Sequence, residues 1–139
     1  MPLLLSKKTA IAALLIAVFL SIPQNAYALL YQDISALELK QRMEDVSDTG
    51  YVILDVREKT AYDAGHIEGA INIPLKELGY RLFVLDRGKD IIVYCNVGLQ
   101  SKVACQVLTN AGFKDVYNLT DGLKAWDYGL ETDGGRVNI

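Results

Sequence analysis

The stretch Asp90-Ile-Ile-Val-Tyr-Cys-Asn-Val-Gly-Leu-Gln-Ser101 decides how the rest of the chain is interpreted. Its first part, Ile91 to Tyr94, is a short apolar and β-branched run, which predicts a strand buried on both faces. Cys95 follows at the end of that strand, and Gly98 allows the next residues to turn tightly. From Ser101 to Ala111 apolar residues recur at helical spacing. The stretch therefore predicts a strand, a loop under a cysteine, and a helix.

A thiol in such a loop lies among backbone N–H groups at the positive end of a helix. That environment favours the thiolate, which is the form that attacks electrophilic sulfur. The same N–H groups can hold an anion. We therefore predict Cys95 as the nucleophile, against the alternative of a small buried apolar residue. The predicted substrate-binding loop consists of Asn96, Val97, Gly98, Leu99, Gln100 and Ser101; its alternative is an ordinary strand-to-helix connection.

Composition narrows the class of protein. The chain has 139 residues, of which 51% are hydrophobic and 22% are charged, so we expect one compact domain. The net charge is −3 with no basic cluster, which argues against nucleic acid as a partner. The two cysteines lack the spacing of a zinc site, and they are too few for a disulfide framework.

The N-terminus reads as a separate segment. Two lysines precede the apolar run from Ala10 to Leu20, and Ala26-Tyr-Ala28 offers small residues where a signal peptidase cuts. We predict a secretory signal peptide over residues 1–28, a mature domain over 29–139, and a periplasmic or secreted location. The apolar run is short for a membrane span of about 20 residues, and an uncleaved anchor is the alternative.

The remaining segments alternate between predicted strands and helices, which indicates a mainly parallel α/β sheet with helices on both faces. Ser35 and Glu38 form a capping box for a helix from Ala36 to Met43. The other predicted elements are a strand at 51–55, a helix at 60–64, a strand at 70–72, a helix at 75–83, a strand at 116–118 and a short helix at 121–126. The tail from Thr132 to Ile139 is glycine-rich, and we predict that it is loose.

Polar residues cluster where the strand at 51–55 ends. Sites in open α/β sheets lie at the carboxyl ends of strands, so Arg57 is a candidate anion contact and Asp55 a candidate support for it. An ion pair without a catalytic role is the alternative.

Several segments together resemble the rhodanese domain family. They are Leu54-Asp-Val-Arg-Glu58, Tyr62-Asp-Ala-Gly-His-Ile-Glu-Gly-Ala-Ile-Asn-Ile-Pro74, Ile92-Val-Tyr-Cys-Asn-Val-Gly-Leu-Gln-Ser101, Gly112-Phe-Lys-Asp-Val-Tyr-Asn-Leu119 and Gly122 to Trp126. The resemblance covers nearly all of residues 34–126, and it implies a single domain built on a parallel sheet of about five strands.

The resemblance also implies an activity. Catalytic members are sulfurtransferases: the loop cysteine takes sulfane sulfur from thiosulfate or a similar anion, becomes a persulfide, and passes the sulfur to cyanide or a thiol. On this basis we expect a monomer that needs no metal or organic cofactor, with small anionic donors and thiol or cyanide acceptors as its partners.

The chain departs from the family pattern at one loop position. Many single-domain catalytic members have Cys-x-x-Gly-x-Arg-Ser, and here Gln100 stands in place of the arginine. An amide binds a dianion less tightly than a guanidinium does, by about tenfold if one charge-assisted hydrogen bond is replaced by a neutral one. Lys102 is a second candidate contact that would restore positive charge, and a solvated helix charge is its alternative.

Three further residues, His66, Cys105 and Trp126, are predicted to have structural roles. The family resemblance makes His66 part of a turn and not a catalytic base. Cys105 lies further along the predicted helix than a disulfide to Cys95 allows, so we predict it in the core. Trp126 is interpreted as a packing residue.

Two further functions remain as alternatives. The chain could be a binding or sulfur-carrier module that exchanges sulfur with a protein partner. It could also be a phosphatase or arsenate reductase of the related cysteine-loop type, but those enzymes usually have an arginine six positions after the cysteine, where this chain has Ser101.

Overall fold

The computed structural model describes residues 30–132 and 135–137, so the predicted signal peptide over residues 1–28 lies outside the described residues. Within the described part, strands and helices alternate along the chain. In chain order they are β1 (Gln32–Ile34), α1 (Ala36–Glu44), β2 (Tyr51–Asp55), α2 (Lys59–Ala64), β3 (Ile71–Asn72), α3 (Leu75–Arg81), a 3₁₀ turn (Leu82–Val84), β4 (Asp90–Tyr94), α4 (Leu99–Asn110), β5 (Val116–Leu119), a second 3₁₀ turn (Gly122–Ala125), β6 (Leu130–Thr132) and β7 (Gly135–Val137).

Five of the strands form one parallel sheet in the order β1-β5-β4-β2-β3. The longest apolar runs, β2 and β4, lie next to each other in the interior of the sheet, and β4 is in register with β2 from Asp90 to Tyr94. This confirms the predicted α/β fold with a five-stranded parallel sheet.

Each face of the sheet carries its own core, because successive side chains of a strand point to opposite faces. On the first face, Val93 and Cys95 pack with Leu78 of α3 and Leu108 of α4. On the second face, Ile92 and Tyr94 pack with Leu39 of α1 and with Trp126. Cys95 therefore belongs to the face that α3 and α4 cover.

The local signals of the sequence explain where several elements begin. Ser35 Oγ accepts the backbone N–H of Glu38, and the Glu38 carboxylate accepts the backbone N–H of Ser35, so the predicted capping box is confirmed. Such a cap stabilises a helix by about 1 kcal/mol. Pro74 precedes α3, and Gly112 follows α4 with a positive φ of 89°.

The largest differences from the predicted elements concern two segments. Helix α4 begins at Leu99 instead of Ser101, because Gly98 adopts a left-handed conformation (φ 83°) that turns the chain into the helix earlier. The predicted helix at 121–126 is a 3₁₀ turn.

The tail that was predicted to be loose contains paired strands where the structure describes it. Thr132 ends β6, which pairs with β7 in an antiparallel hairpin. In the part of the chain that the structure describes, no helix is long and apolar enough to cross a membrane.

Candidate active site

Cys95 lies at the carboxyl end of β4, and the residues after it curl around its sulfur. The backbone N–H of Ser101 donates to Sγ over 3.4 Å, and Sγ lies 3.5 Å from Oγ of Ser101. The backbone N–H groups of Val97 and Gly98 act on the sulfur as well, since they lower the pKa of Cys95. Cys95 itself is buried, with 2% of its surface exposed. The predicted loop therefore surrounds a nearly buried sulfur with backbone donors.

These donors change the acidity of the thiol. Burial is the largest single influence, and it raises the pKa of Cys95 because it disfavours the charged form. Hydrogen bonds with the Ser101 hydroxyl and with the N–H groups of Ser101, Val97 and Gly98 lower the pKa, and together they exceed the effect of burial. The pKa of Cys95 consequently lies below its ordinary value, which favours the thiolate.

The second 3₁₀ turn holds the loop in this orientation. The backbone N–H of Leu123 donates to the carbonyl oxygen of Cys95, and that of Lys124 to the carbonyl oxygen of Asn96, each over 3.0 Å. These two hydrogen bonds hold the carbonyl groups on the side of the loop away from the sulfur. The loop N–H groups therefore face the sulfur.

Gly122 makes this brace sterically feasible. A β-carbon at position 122 would overlap the carbonyl oxygen of Cys95 and would lie 2.9 Å from the carbonyl carbon and oxygen of Asn96. Gly122 also has a positive φ of 56°, and the preceding Asp121 is the only non-glycine residue in the described part with a positive φ. The sequence analysis predicted a short helix at 121–126, and the signal that could have indicated a turn is the dipeptide Asp121-Gly122.

The predicted loop residues separate into two groups. Gly98 and Ser101 are buried beside the sulfur, whereas Asn96, Val97, Leu99 and Gln100 are exposed around it. Lys102 is exposed on the first turn of α4. Direct contacts of Gln100 and Lys102 with a substrate anion stay predictions.

Arg57 follows the end of β2, and its guanidinium is bound to groups of the protein. Its Nε and Nη2 donate to the Asp55 carboxylate at 2.6–3.1 Å, and Nη2 also donates to the carbonyl oxygen of Gly65 over 2.7 Å. Asp55 is fully buried and Arg57 is 7% exposed. The guanidinium lies over the ring of Tyr94, on the sheet face opposite to Cys95. Because its hydrogen bonds go to Asp55 and Gly65, the geometry supports a structural brace, and an anion contact by Arg57 stays a prediction.

Tyr94 belongs to the same brace. Its hydroxyl oxygen accepts the backbone N–H of Ile67. Burial, with the Asp55 carboxylate as a second influence, raises the pKa of Tyr94, so the hydroxyl stays protonated. The segment from Ile67 onward is thereby fixed to the strand that carries Cys95.

The three residues that were predicted to be structural are His66, Cys105 and Trp126, and each lies among packing contacts. His66 stacks on Tyr62 with ring centres 3.7 Å apart, and its backbone pairs with Glu131 of β6. Cys105 is a free thiol in the core with none of its surface exposed, and Trp126 is buried. These placements confirm the packing interpretations of Cys105 and Trp126.

A series of side-chain hydrogen bonds runs behind the sulfur and was not predicted from the sequence. We call it the buried polar chain. The Ser101 hydroxyl donates to Oδ1 of Asn118 over 2.6 Å, and Nδ2 of Asn118 donates to Oδ1 of Asp33 over 2.8 Å. Ser101 and Asn118 have no exposed surface, while Asp33 lies at the surface on the edge strand β1.

An open groove of about 470 Å³ lies elsewhere, between α1 and the β1 edge of the sheet. Its lining includes the carboxylates of Asp33, Glu38, Asp45 and Asp48, and the Arg42 guanidinium there is already paired with Asp48 and Asp90. Because carboxylates repel anions, the cysteine loop and not this groove suits an anionic substrate.

Known proteins resemble the chain in both sequence and structure. A model of the family "Rhodanese-like domain" matches residues 35–128. Thiosulfate sulfurtransferase GlpE from Coxiella burnetii (strain RSA 493 / Nine Mile phase I) is 35% identical over 110 residues, which are 79% of this chain and 100% of that protein. Putative sulfur carrier protein YrkF from Bacillus subtilis is 36% identical over 94 residues, which are 68% of this chain and only 50% of that longer protein.

Solved structures show the same architecture. A rhodanese-like domain protein from Staphylococcus aureus is 27% identical, with a TM-score of 0.66 over 73% of this chain and 98% of that one. The rhodanese-like domain of the Alr3790 protein from Anabaena is 36% identical, with a TM-score of 0.64 over 77% of this chain and 79% of that one. From residues 35 to 128, this chain belongs to the rhodanese-like domain family.

Proposed function

We propose that this protein is a sulfurtransferase that carries sulfane sulfur as a persulfide on Cys95. The observation that carries the proposal is the hydrogen bond from the Ser101 N–H to Sγ at the start of α4. A sulfur in this position is more acidic than an ordinary thiol. The family membership and the similarity to GlpE proteins support the same reaction class.

With thiosulfate as donor, the reaction takes two displacements. The Cys95 thiolate attacks the outer sulfur, a new S–S bond forms, and the old S–S bond breaks as sulfite leaves with the electron pair. The acceptor, cyanide or a thiolate, then attacks the terminal sulfur of the persulfide. That step gives thiocyanate or a new persulfide and returns the thiolate, with no net oxidation, and it predicts ping-pong kinetics.

The loop serves the persulfide as well as the thiolate. The terminal sulfur of a persulfide carries negative charge, and the loop N–H groups that face Cys95 stabilise an anion there without adding a full positive charge. Leu123 and Lys124 keep the two loop carbonyls outside, so the terminal sulfur avoids their repulsion.

The direct test is mass spectrometry of the protein after incubation with thiosulfate. We expect a gain of one sulfur atom on the peptide that contains Cys95, and loss of this gain on adding cyanide. Cys95→Ser should show no gain, whereas the matched control Cys105→Ala should behave like the wild type. Sulfur transfer by Cys95→Ser would refute the proposal.

A carrier function is the second candidate, and two features of the loop favour it. Gln100 supplies no charge for a free dianion. Val97 and Leu99 expose 50% and 70% of their surface beside the sulfur, which suits contact with a protein better than with a small anion. A persulfide that forms on Cys95 from a protein donor, with no turnover of thiosulfate, would identify the carrier.

We also propose that the chain is exported, on the basis of the lysines, apolar run and Ala-Tyr-Ala28 site in its sequence. N-terminal sequencing of the protein purified from the cells that make it tests this proposal. A mature N-terminus at Leu29 is expected, and a chain that keeps residues 1–28 in the cytoplasm would contradict it.

A further inference from the structure

The buried polar chain that runs from Cys95 through Ser101 and Asn118 to Asp33 has a fixed direction. An ionised carboxylate only accepts hydrogen bonds, so Asp33 requires the amide nitrogen of Asn118 to face it. The amide oxygen of Asn118 must then face Ser101, and it accepts the Ser101 hydroxyl proton over 2.6 Å. Asp33, on the surface, thereby sets the orientation of groups that are fully buried.

The sheet register keeps this chain in place. Asp33 of β1 and Asn118 of β5 are direct neighbours across the two parallel strands, and Val93 of β4 is the next residue in the same row. Val93 packs in the core that contains Cys95, so this row faces α4, from which Ser101 comes. Ser101 therefore meets Cys95 on one side and Asn118 on the other.

The Ser101 hydroxyl has one proton and two neighbours that can accept it. With Cys95 as a thiol, every group is satisfied, because S–H donates to Oγ while the hydroxyl proton goes to Asn118. A thiolate at Cys95 can only accept. The hydroxyl must then either turn to the sulfur, which leaves the buried Asn118 oxygen without its donor, or present its lone pairs to an anion.

We propose that Asn118, oriented by Asp33, is a positioning residue that competes with Cys95 for the Ser101 hydroxyl proton, and that it thereby weakens the hydrogen bond from this hydroxyl to a Cys95 thiolate and restrains the reactivity of the resting thiol. The loop N–H groups favour ionisation, and the Asp33–Asn118 pair opposes it. The proposal rests on the proposed function only in taking Cys95 as the reacting thiol.

Other titratable and charged groups also lie around Cys95. Their electrostatic effects on the thiol must be distinguished from the effect of the Asp33–Asn118 pair. Cys105 of α4 shares the same core, and burial raises its pKa, so it stays a neutral thiol. Asp121 adjoins Gly98 in the loop, and Lys102 lies on the first turn of α4. Asp33 itself contributes a negative charge, which by simple repulsion also disfavours a thiolate.

The test measures the rate at which iodoacetamide alkylates Cys95 as a function of pH, followed by mass spectrometry and without any sulfur donor. Asn118→Leu changes no charge and removes the competing acceptor. We expect its apparent thiol pKa to fall by about one unit, which means about tenfold faster alkylation well below that pKa. In a Ser101→Ala background the same substitution should leave the profile unchanged, because no hydroxyl proton is left to redirect.

A profile that Asn118→Leu leaves unchanged or moves to higher pH would overturn the proposal, and so would a shift that persists in the Ser101→Ala background. If Asn118→Leu does not fold, Asp33→Leu at the surface decides instead, since the amide of Asn118 can then reverse. Its matched control is Asp121→Asn, which removes one nearby negative charge and leaves the chain of hydrogen bonds intact. A larger shift for Asp33→Leu supports the proposal, and an equal one overturns it.

The outcome is separate from that of the proposed function. Alkylation reports the ionisation of Cys95 even if thiosulfate never forms a persulfide. Conversely, if Cys95 forms a persulfide but Asn118→Leu leaves the pH profile of alkylation unchanged, the proposed sulfurtransferase function stands and the proposed restraint by Asn118 is refuted.

Discussion

Gly122 lies against the carbonyl group of Cys95 so closely that no side chain fits between the 3₁₀ turn and the loop that follows Cys95. The two hydrogen bonds that follow, from Leu123 and Lys124, bind the carbonyls of Cys95 and Asn96. The direction of the loop N–H groups thus depends on a contact between two segments far apart in the sequence.

Gly122→Ala should therefore disrupt the loop. Overpacking costs about 1–3 kcal/mol, and the positive φ of 56° adds about 1 kcal/mol for any residue with a β-carbon. We expect a lower urea midpoint and at least a tenfold loss of persulfide formation in the fraction that folds. Gly69→Ala is the matched control, because Gly69 has a positive φ of 74° but open space where the β-carbon would lie. If both variants form persulfide like the wild type, the brace is not needed.

Much of this fold could be predicted from local patterns. The apolar runs at β2 and β4 and the capping box at Ser35 act through neighbouring residues, and the structure has them as the sequence indicates. Cys95 was identifiable because a strand, a glycine-bearing loop and a helix follow one another without a break. These features need no knowledge of which strands are neighbours.

The rest depends on contacts between distant segments. Asn118 hydrogen-bonds to Asp33, 85 residues away, and the strand order β1-β5-β4 that brings them together is not a local signal. The face on which Arg57 lies could not be predicted, because Asp55 is in register with Tyr94, one residue before the cysteine, and so faces the opposite side of the sheet. Because successive residues of a strand point to opposite faces of the sheet, a difference of one position places the Asp55–Arg57 pair on one face and Cys95 on the other.

The pH dependence of alkylation should distinguish the two cysteines. The pKa of Cys95 lies below the ordinary thiol value and that of Cys105 above it. As the pH rises, Cys95 should become reactive first, and Cys105 should remain unmodified in the folded protein at neutral pH. Peptide mass spectrometry after brief exposure to iodoacetamide measures both sites. Faster modification of Cys105 in the native protein would contradict the geometry described for the loop.

Gln100→Arg should improve the use of thiosulfate. Gln100 is exposed beside Cys95, so a guanidinium there adds charge and a planar pair of donors without entering the core. We expect the KM for thiosulfate to fall by about tenfold, from the difference between a charge-assisted and a neutral hydrogen bond. Gln100→Lys is the matched control, since it adds the charge but not the planar fork. An unchanged KM in both variants would show that position 100 does not contact the donor.

Arg57→Ala should affect stability and not the binding of thiosulfate. It leaves the fully buried Asp55 carboxylate without its partner, and removal of one member of a buried ion pair costs about 3–5 kcal/mol. Urea unfolding should show this loss, while the fraction that remains folded should keep the wild-type KM for thiosulfate, because Arg57 lies on the face away from Cys95. Arg42→Ala, which removes a more exposed guanidinium paired with Asp48 and Asp90, should cost less. A raised KM with unchanged stability in Arg57→Ala would instead restore Arg57 as an anion contact, and would require the guanidinium to leave Asp55 when the donor binds.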